Sequence, residues 1–444
     1  MSHSDARHSG KLSRYYSWYV LALLWVVALL RFVDLQIVAV LLEPIKAEFQ
    51  LTDTQLSLLG GLAFALFYGT LGIPVAWLAE RYSRRTIIAC AVALWSFMTA
   101  LCGQAGGFAS FFLARMGVGI GEAGAYPPST SLLADYFAPA QRGRAYAILA
   151  SAIPVGVLTG FLIGGFVSQW YGWRVALQVV GLPGLLIGLL VYCTVREPVR
   201  GNTELRSNLV RQETFLQSCR MLWQQSAYRY VVLAACTFTL GATGSGIWLP
   251  TYFMRHHGMS GPEIGLWMAG LYGGGGLLGS LLGGWLGERL DKDRSGCAYA
   301  HVSQWSLLCT LPLLPLVLLS SSAHFALCCH LGVTVLMHMN IGPVLTLLQH
   351  IGGVQRRALA QAFSVLVSNL VALPLGPLFV GMFSDHFSAT FGTQTLGLAI
   401  LLFMATSWSL SAWLFTTCGV RLAARHDATI NGMVDGMQRC VKLL

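Results

Sequence analysis

Residues 18–42 read WYVLALLWVVALLRFVDLQIVAVLL. At 1.5 Å per residue such a run crosses a bilayer core of about 30 Å. Its only charges, Arg31 and Asp34, lie past its midpoint. A charge at that depth costs about 2.5–3.5 kcal/mol or more, so it normally faces a cavity and has a partner. The rest of the chain repeats the apolar theme. Of 444 residues, 55% are hydrophobic and only 10% are charged, against roughly 25% in soluble domains. That balance defines a polytopic membrane protein. It excludes a soluble enzyme or a nucleic-acid binder, and the net charge of +10 reads as a bias across the bilayer. Long apolar runs exclude a β-barrel, whose strands alternate over about ten residues.

Outward from that first run, apolar stretches fall near 17–42, 54–79, 86–104, 108–132, 145–169 and 174–195, then 229–254, 263–287, 297–320, 323–348, 359–384 and 392–418. The predicted fold is an all-α membrane protein of twelve transmembrane helices in two six-helix bundles. Residues 1–16 form a polar tail, 17–195 and 229–418 the bundles, 196–228 a polar linker and 419–444 a second tail. The apolar stretch after about Tyr16 has no small-residue cleavage site and reads as a span, not a signal peptide. Of 28 Lys and Arg residues, 23 fall in the tails, the linker and the loops on one side, against Lys46, Arg174 and Arg255 on the other. By the positive-inside rule both termini are cytoplasmic. The eleven cysteines sit mostly inside apolar runs and act there as small hydrophobes. No spacing suggests a metal site, and no cofactor loop is present.

The two halves echo each other. AWLAERYSRR (76–85) follows the second span and GWLGERLDKDR (284–294) follows the eighth. Each has a small residue followed, four positions on, by an acid and an Arg. These features resemble the major facilitator superfamily, whose loop motif is Gly-x-x-x-Asp-Arg-x-Gly-Arg-Arg. Ala76, Glu80 and Ser83 depart from that pattern. RMGVGIG (115–121) is similar to the superfamily's Arg-x-x-x-Gly-x-Gly. FVDLQI (32–37), LTDTQLSLL (51–59), RMGVGIGEAGAYPPSTSLLADYF (115–137), RGRAYAILASAIPVGVLTG (142–160) and WLPTYF (248–253) resemble the Spinster branch, with Leu35 where that branch carries Arg. The resemblance implies alternating access and, for the branch, lysophospholipid or sphingoid phosphate substrates.

Arg31, Asp34, Arg115 and Glu122 are the ionisable residues inside spans, all in the first half. At 1.5 Å per residue, Arg31, Asp34 and Arg115 lie at comparable heights, with Glu122 about 10 Å nearer the cytoplasm and two turns from Arg115. This predicts an Asp34–Arg115 pair with Glu122 below it. One reading is a static buried pair that fixes packing; the other is a proton relay of Asp34, Glu122 and Arg115, with Asp34 as the coupled site. Arg31, Arg115, Glu122, Asn340 and Asn369 are candidate substrate contacts, with Gln361 as a further neutral group. Glu80, Arg81, Arg84, Arg142, Glu288 and Arg289 are candidate cytoplasmic gate residues, or else a topogenic cluster. Gly156 and Gly160 in the fifth span and Gly275 and Gly279 in the eighth recur every four residues. With the bend at Pro154, they predict a sliding seam between halves. His301, His324, His330 and His338 read as packing residues. Trp248 and Tyr252 read as an outer aromatic belt.

One charged half and one apolar half with neutral polar groups suit an amphipathic substrate. The expectation is a monomeric, proton-coupled transporter in a bacterial inner membrane, moving a lipid-like amphiphile among membrane lipids, without cofactor or nucleic acid. The alternative is a proton-coupled carrier of small organic anions, held by Arg31 and Arg115.

Overall fold

The structure is a computed structural model and describes residues 14–198, 215–292 and 295–443. Among these residues it is built from helices without strands. Among the described residues, nine helices are by themselves long and apolar enough to span a membrane. One of these, Gln141–Thr194, holds two spans that meet at Gly172, whose φ of 84° no helix accommodates. The fourth span is broken at residues 123–125 between Phe108–Glu122 and Tyr126–Tyr136. The eighth runs from Gly261–Gly270 through a π-helical turn to Gly276–Leu290. These three account for the remaining spans of a twelve-helix bundle.

By contact, the chain forms two compact units. One comprises Met1–Ile37 and Leu66–Val210; the other comprises Val38–Ala65 and Arg211–Leu444. The sequence repeat has structural counterparts in the two halves of the chain. The second and eighth spans both contain a π-helical turn, Leu58–Leu62 (LLGGL) and Leu271–Gly275 (LYGGG). Such turns inside α-helices mark local strain and often functional sites. In both motif copies the Arg guanidinium covers the Trp one turn earlier: Arg81 over Trp77 at 3.8 Å and Arg289 over Trp285 at 5.2 Å.

The glycine stripes correct the expectation of a seam between halves. A Cβ on Gly156 would meet Phe32 and the Leu29 carbonyl, and one on Gly160 would meet Val33 and Gln36. In the eighth span, Cβ atoms on Gly275, Gly279 and Gly283 would meet Leu331, Val335 and Met339 of the tenth. Both stripes therefore bring helices of one unit together backbone to backbone. The physical reason is that a bare Cα face is needed wherever two helices of a bundle cross closely. The fifth span does bend near Pro154. Its helix stops at Ala150 and restarts at Ala152, since Pro154 cannot donate to the carbonyl four residues back. Trp248 and Tyr252 are fully buried and donate to the carbonyls of Pro377 and Leu318, so they are packing residues and not a belt.

Gly279→Ala should destabilise the protein in thermal unfolding by about 1–3 kcal/mol, the cost of overpacking. Gly284→Ala should be silent, because a Cβ there meets nothing within 4 Å. Equal effects would mean that the stripe has no packing role.

Candidate functional site

Glycines bring the charged residues together. A Cβ on Gly117 of the fourth span would strike Met98, and one on Gly121 would strike the Trp95 backbone, both in the third span. The close crossing carries Arg115 and Thr99 to either side of Asp34 from the first span. Arg115 Nη1 donates to Asp34 Oδ2 at 3.2 Å, and Thr99 Oγ1 donates to Asp34 Oδ1 at 2.8 Å. Asp34 and Arg115 are each about 1% exposed. The Asp34–Arg115 pair is as the helix arithmetic predicts.

Arg31 forms a second pair. Its Nε donates to Glu122 Oε2 at 3.0 Å and its Nη2 to the Tyr68 hydroxyl at 2.6 Å. The rings of Tyr68, Phe32 and Tyr126 surround the guanidinium at 4.9, 5.2 and 6.0 Å. Cations over ring faces gain about 0.5–2 kcal/mol each, most when desolvated. Glu122 is wholly buried, and its Oε1 has no hydrogen-bond partner among the described residues. The two carboxylates thus differ. Both oxygens of Asp34 are engaged, whereas Glu122 keeps a bare, buried oxygen. A small crevice lined by Ala28, Tyr126 and Ser129 reaches Arg31.

The gate candidates separate. Arg84 is buried and donates to Asp135 at 2.6 Å and to Glu197 at 2.8 Å. It ties the third span to the end of the fourth and the exit of the sixth, inside the first unit. Burial pushes the Glu197 carboxyl up, but bonds from the Arg85 amide, the Arg84 guanidinium and Ser83 outweigh it and hold it below the ordinary 4.5. This depressed group stabilises the fold above its ordinary pKa and loses that contribution as acid protonates it. Arg142 donates to the carbonyls of Ala134 and Phe137. Glu288 and Arg289 are exposed. The side chain of Glu80 lies outside the described residues.

The second unit contains a charge cluster that sequence reading missed. Asp53 accepts from Lys46 at 2.6 Å, from both Arg255 terminal nitrogens at 2.9 Å and from Ser384 at 2.7 Å. Arg255 also reaches Glu43 at 2.7 Å. Asp385 takes the backbone amides of Asp53 and Thr54 at 2.9 and 2.7 Å, satisfying the first turn of the second span. Lys46 and Arg255, read as outer-loop charges, are therefore bound to Asp53. The available signal was the Thr52–Gln55 capping box in LTDTQ, which marks where that helix begins. No comparable signal marked Thr99, Tyr68, Tyr126, Asp135 or Glu197.

Asn340 lies at a break in the tenth span and is 1% exposed. It lines a cavity of about 340 Å³ with Gln361, Ser364, Ser368 and Asn369. His330 and His338, two of the span histidines read as packing residues, flank the Tyr272 ring at 6.0 and 6.3 Å. His338 Nδ1 bonds the Thr334 carbonyl at 2.8 Å, the kind of packing bond expected of a span histidine.

A helical bundle with paired charges buried in its spans belongs to the class of membrane transporters. The family model for the Major Facilitator Superfamily matches residues 24–377, and the chain belongs to that superfamily. It is 30% identical over 90% of its length to an MFS-type efflux pump of Mycolicibacterium smegmatis, covering 92% of that protein. It is 25% identical over 84% of its length to the sphingosine-1-phosphate transporter SPNS2 of Danio rerio, covering 78% of it. Among solved structures it resembles a bacterial homolog of the human lysosomal transporter Spinster, inward-facing and unoccupied. There the TM-score is 0.81 and the identity 28%, over 94% of this chain and 98% of the other. These relatives are named as transporters and an efflux pump, not as enzymes.

Arg115→Ala should cost about 3–5 kcal/mol of stability by stranding Asp34 as an unpaired buried charge. The double variant Arg115→Ala/Asp34→Ala should recover a large part of that loss in thermal unfolding. Additive losses would mean that the two residues do not act as a pair.

Proposed function

We propose that this protein is a proton-coupled transporter of an amphipathic, lipid-like substrate with an anionic head, such as a lysophospholipid or sphingoid phosphate. The observation that carries the reading is the Arg31–Glu122 pair with its bare carboxylate oxygen. With Glu122 ionised, Arg31 is neutralised by it. When Glu122 takes a proton, Arg31 is left with an uncompensated charge inside an aromatic collar, and an anionic head group replaces the carboxylate. Proton and substrate are then bound together and move in the same direction. Asp34, with both oxygens occupied, holds Arg115 and the crossing of the first, third and fourth spans. This reading assigns the coupled proton to Glu122 instead of Asp34. The substrate class draws support from the printed function of the Danio rerio relative.

Alternating access needs contacts that break and re-form. The Asp53 cluster lies within the second unit and the Arg84–Asp135–Glu197 cluster within the first, and each stiffens its own unit. The Arg and Lys distribution supports a cytoplasmic side for the Arg84 cluster and both termini, and we take the membrane to be a bacterial inner membrane and the chain to work as a monomer. Arg81, Glu288 and Arg289 belong to that side's loops.

In proteoliposomes, an inward proton gradient should accelerate uptake of a lysophospholipid several-fold. Glu122→Gln should abolish that acceleration while leaving downhill exchange measurable. Uptake of dicarboxylates in place of lysolipids would favour the small-anion alternative. A Glu122→Gln protein with unaltered pH response would remove Glu122 from coupling.

A further inference from the structure

The cavity in the second unit has a chemistry distinct from the ion pairs. It is lined from the seventh, tenth and eleventh spans. Gln361, Ser364 and Ser368 follow the spacing i, i+3, i+7 and so lie on one face of the eleventh span. The tenth span contributes Asn340 where its helix breaks, and the remaining walls are mainly aliphatic, Leu348 among them. Its volume of about 340 Å³ far exceeds the roughly 10–15 Å³ that a single water needs, too large for a packing defect.

Asn340 is the informative residue. It is 1% exposed, it faces this cavity, and neither its Oδ1 nor its Nδ2 has a hydrogen-bond partner among the described residues. An unpaired buried amide costs about 1–3 kcal/mol for each group left unmade. A side chain used only for packing at that position would be better replaced by Leu. An amide offers one acceptor and a donor group side by side, which suits a partner that can both give and take a hydrogen bond. None of the lining residues is charged. A phosphate or an ammonium would have no counter-charge there, and an unpaired ion in such a place is far more costly than an unpaired amide. Aliphatic walls beside the polar face fit a chain attached to the hydrogen-bonding group.

We propose that this cavity is a subsite for the uncharged, hydroxyl-bearing part of an amphiphile, with Asn340 as its principal contact and Ser364 and Ser368 beside it. The proposal rests on the transport reading above and gives the second unit a recognition task separate from the anionic head at Arg31. Selectivity then depends on hydroxyl groups as well as on charge, since a site built to hydrogen-bond a hydroxyl rejects analogues that lack it.

The test uses the full-length protein in nanodiscs with radiolabelled monolauroylglycerol, which has two hydroxyls and no charge, and with methyl laurate, which has the same chain without a donor. The wild type should bind monolauroylglycerol at least tenfold more tightly than methyl laurate. Asn340→Leu should remove that preference while keeping or raising the melting temperature, because it deletes an unpaired amide. Ser364→Ala/Ser368→Ala should weaken the preference to a lesser degree and serves if the Leu variant does not fold. Equal binding of the two probes to the wild type, or a preference that survives in Asn340→Leu, overturns the subsite. Failure of the transport reading is read separately. Monolauroylglycerol bound through Asn340 with no proton-driven lysolipid flux would leave the subsite standing and remove the coupling.

Discussion

Four charges inside apolar helices are tolerable only as two pairs, and the first half is organised around that requirement. Asp34 needs Arg115, and Arg31 needs Glu122. To bring Arg115 to Asp34, the fourth span must cross the third closely, which Gly117 and Gly121 permit. To seat the first span against the fifth, Gly156 and Gly160 must present bare backbone to Phe32 and Val33. Breaking one partner would strand the other in a medium where an unpaired charge costs several kcal/mol. Glycines, charges and hydroxyls in these helices are thus parts of one constraint.

The pairs are not equivalent, and the difference gives the site its chemistry. Asp34 has both oxygens engaged, by Arg115 and Thr99. Glu122 shares one oxygen with Arg31 and leaves the other free to take a proton. Arg31 is also held by Tyr68 and an aromatic collar, and therefore stays in place when its carboxylate is neutralised. The cavity of the second unit is lined by amides, hydroxyls and aliphatic side chains without charge. Such a division of labour matches a substrate with a charged head and a longer, mostly apolar body.

Much of this was legible in the sequence because the bilayer imposes strong rules. Apolar length and charge asymmetry gave the span count, and the rarity of charge inside spans singled out Arg31, Asp34, Arg115 and Glu122. Height arithmetic paired Asp34 with Arg115 correctly. It could not choose a partner for Arg31, because a long side chain reaches a full turn along the helix axis. Hydroxyls such as Thr99 and Tyr68 were invisible, since one hydroxyl in a span has many possible uses. The Asp53 cluster was hidden because its members come from segments far apart in sequence, Glu43 to Asp385. The glycine stripes were legible as close crossings, but spacing alone does not say which helix is crossed.

The claim on which the account turns is that an anionic head displaces Glu122 from Arg31 as Glu122 takes a proton. Difference infrared spectroscopy on the full-length protein, with and without a lysophospholipid, reads this directly. The account predicts that substrate addition converts a carboxylate signal to a protonated carboxyl signal, and that this change is absent in Glu122→Gln but present in Asp34→Asn. A substrate-induced spectrum without a carboxyl change, or one lost only in Asp34→Asn, would contradict it.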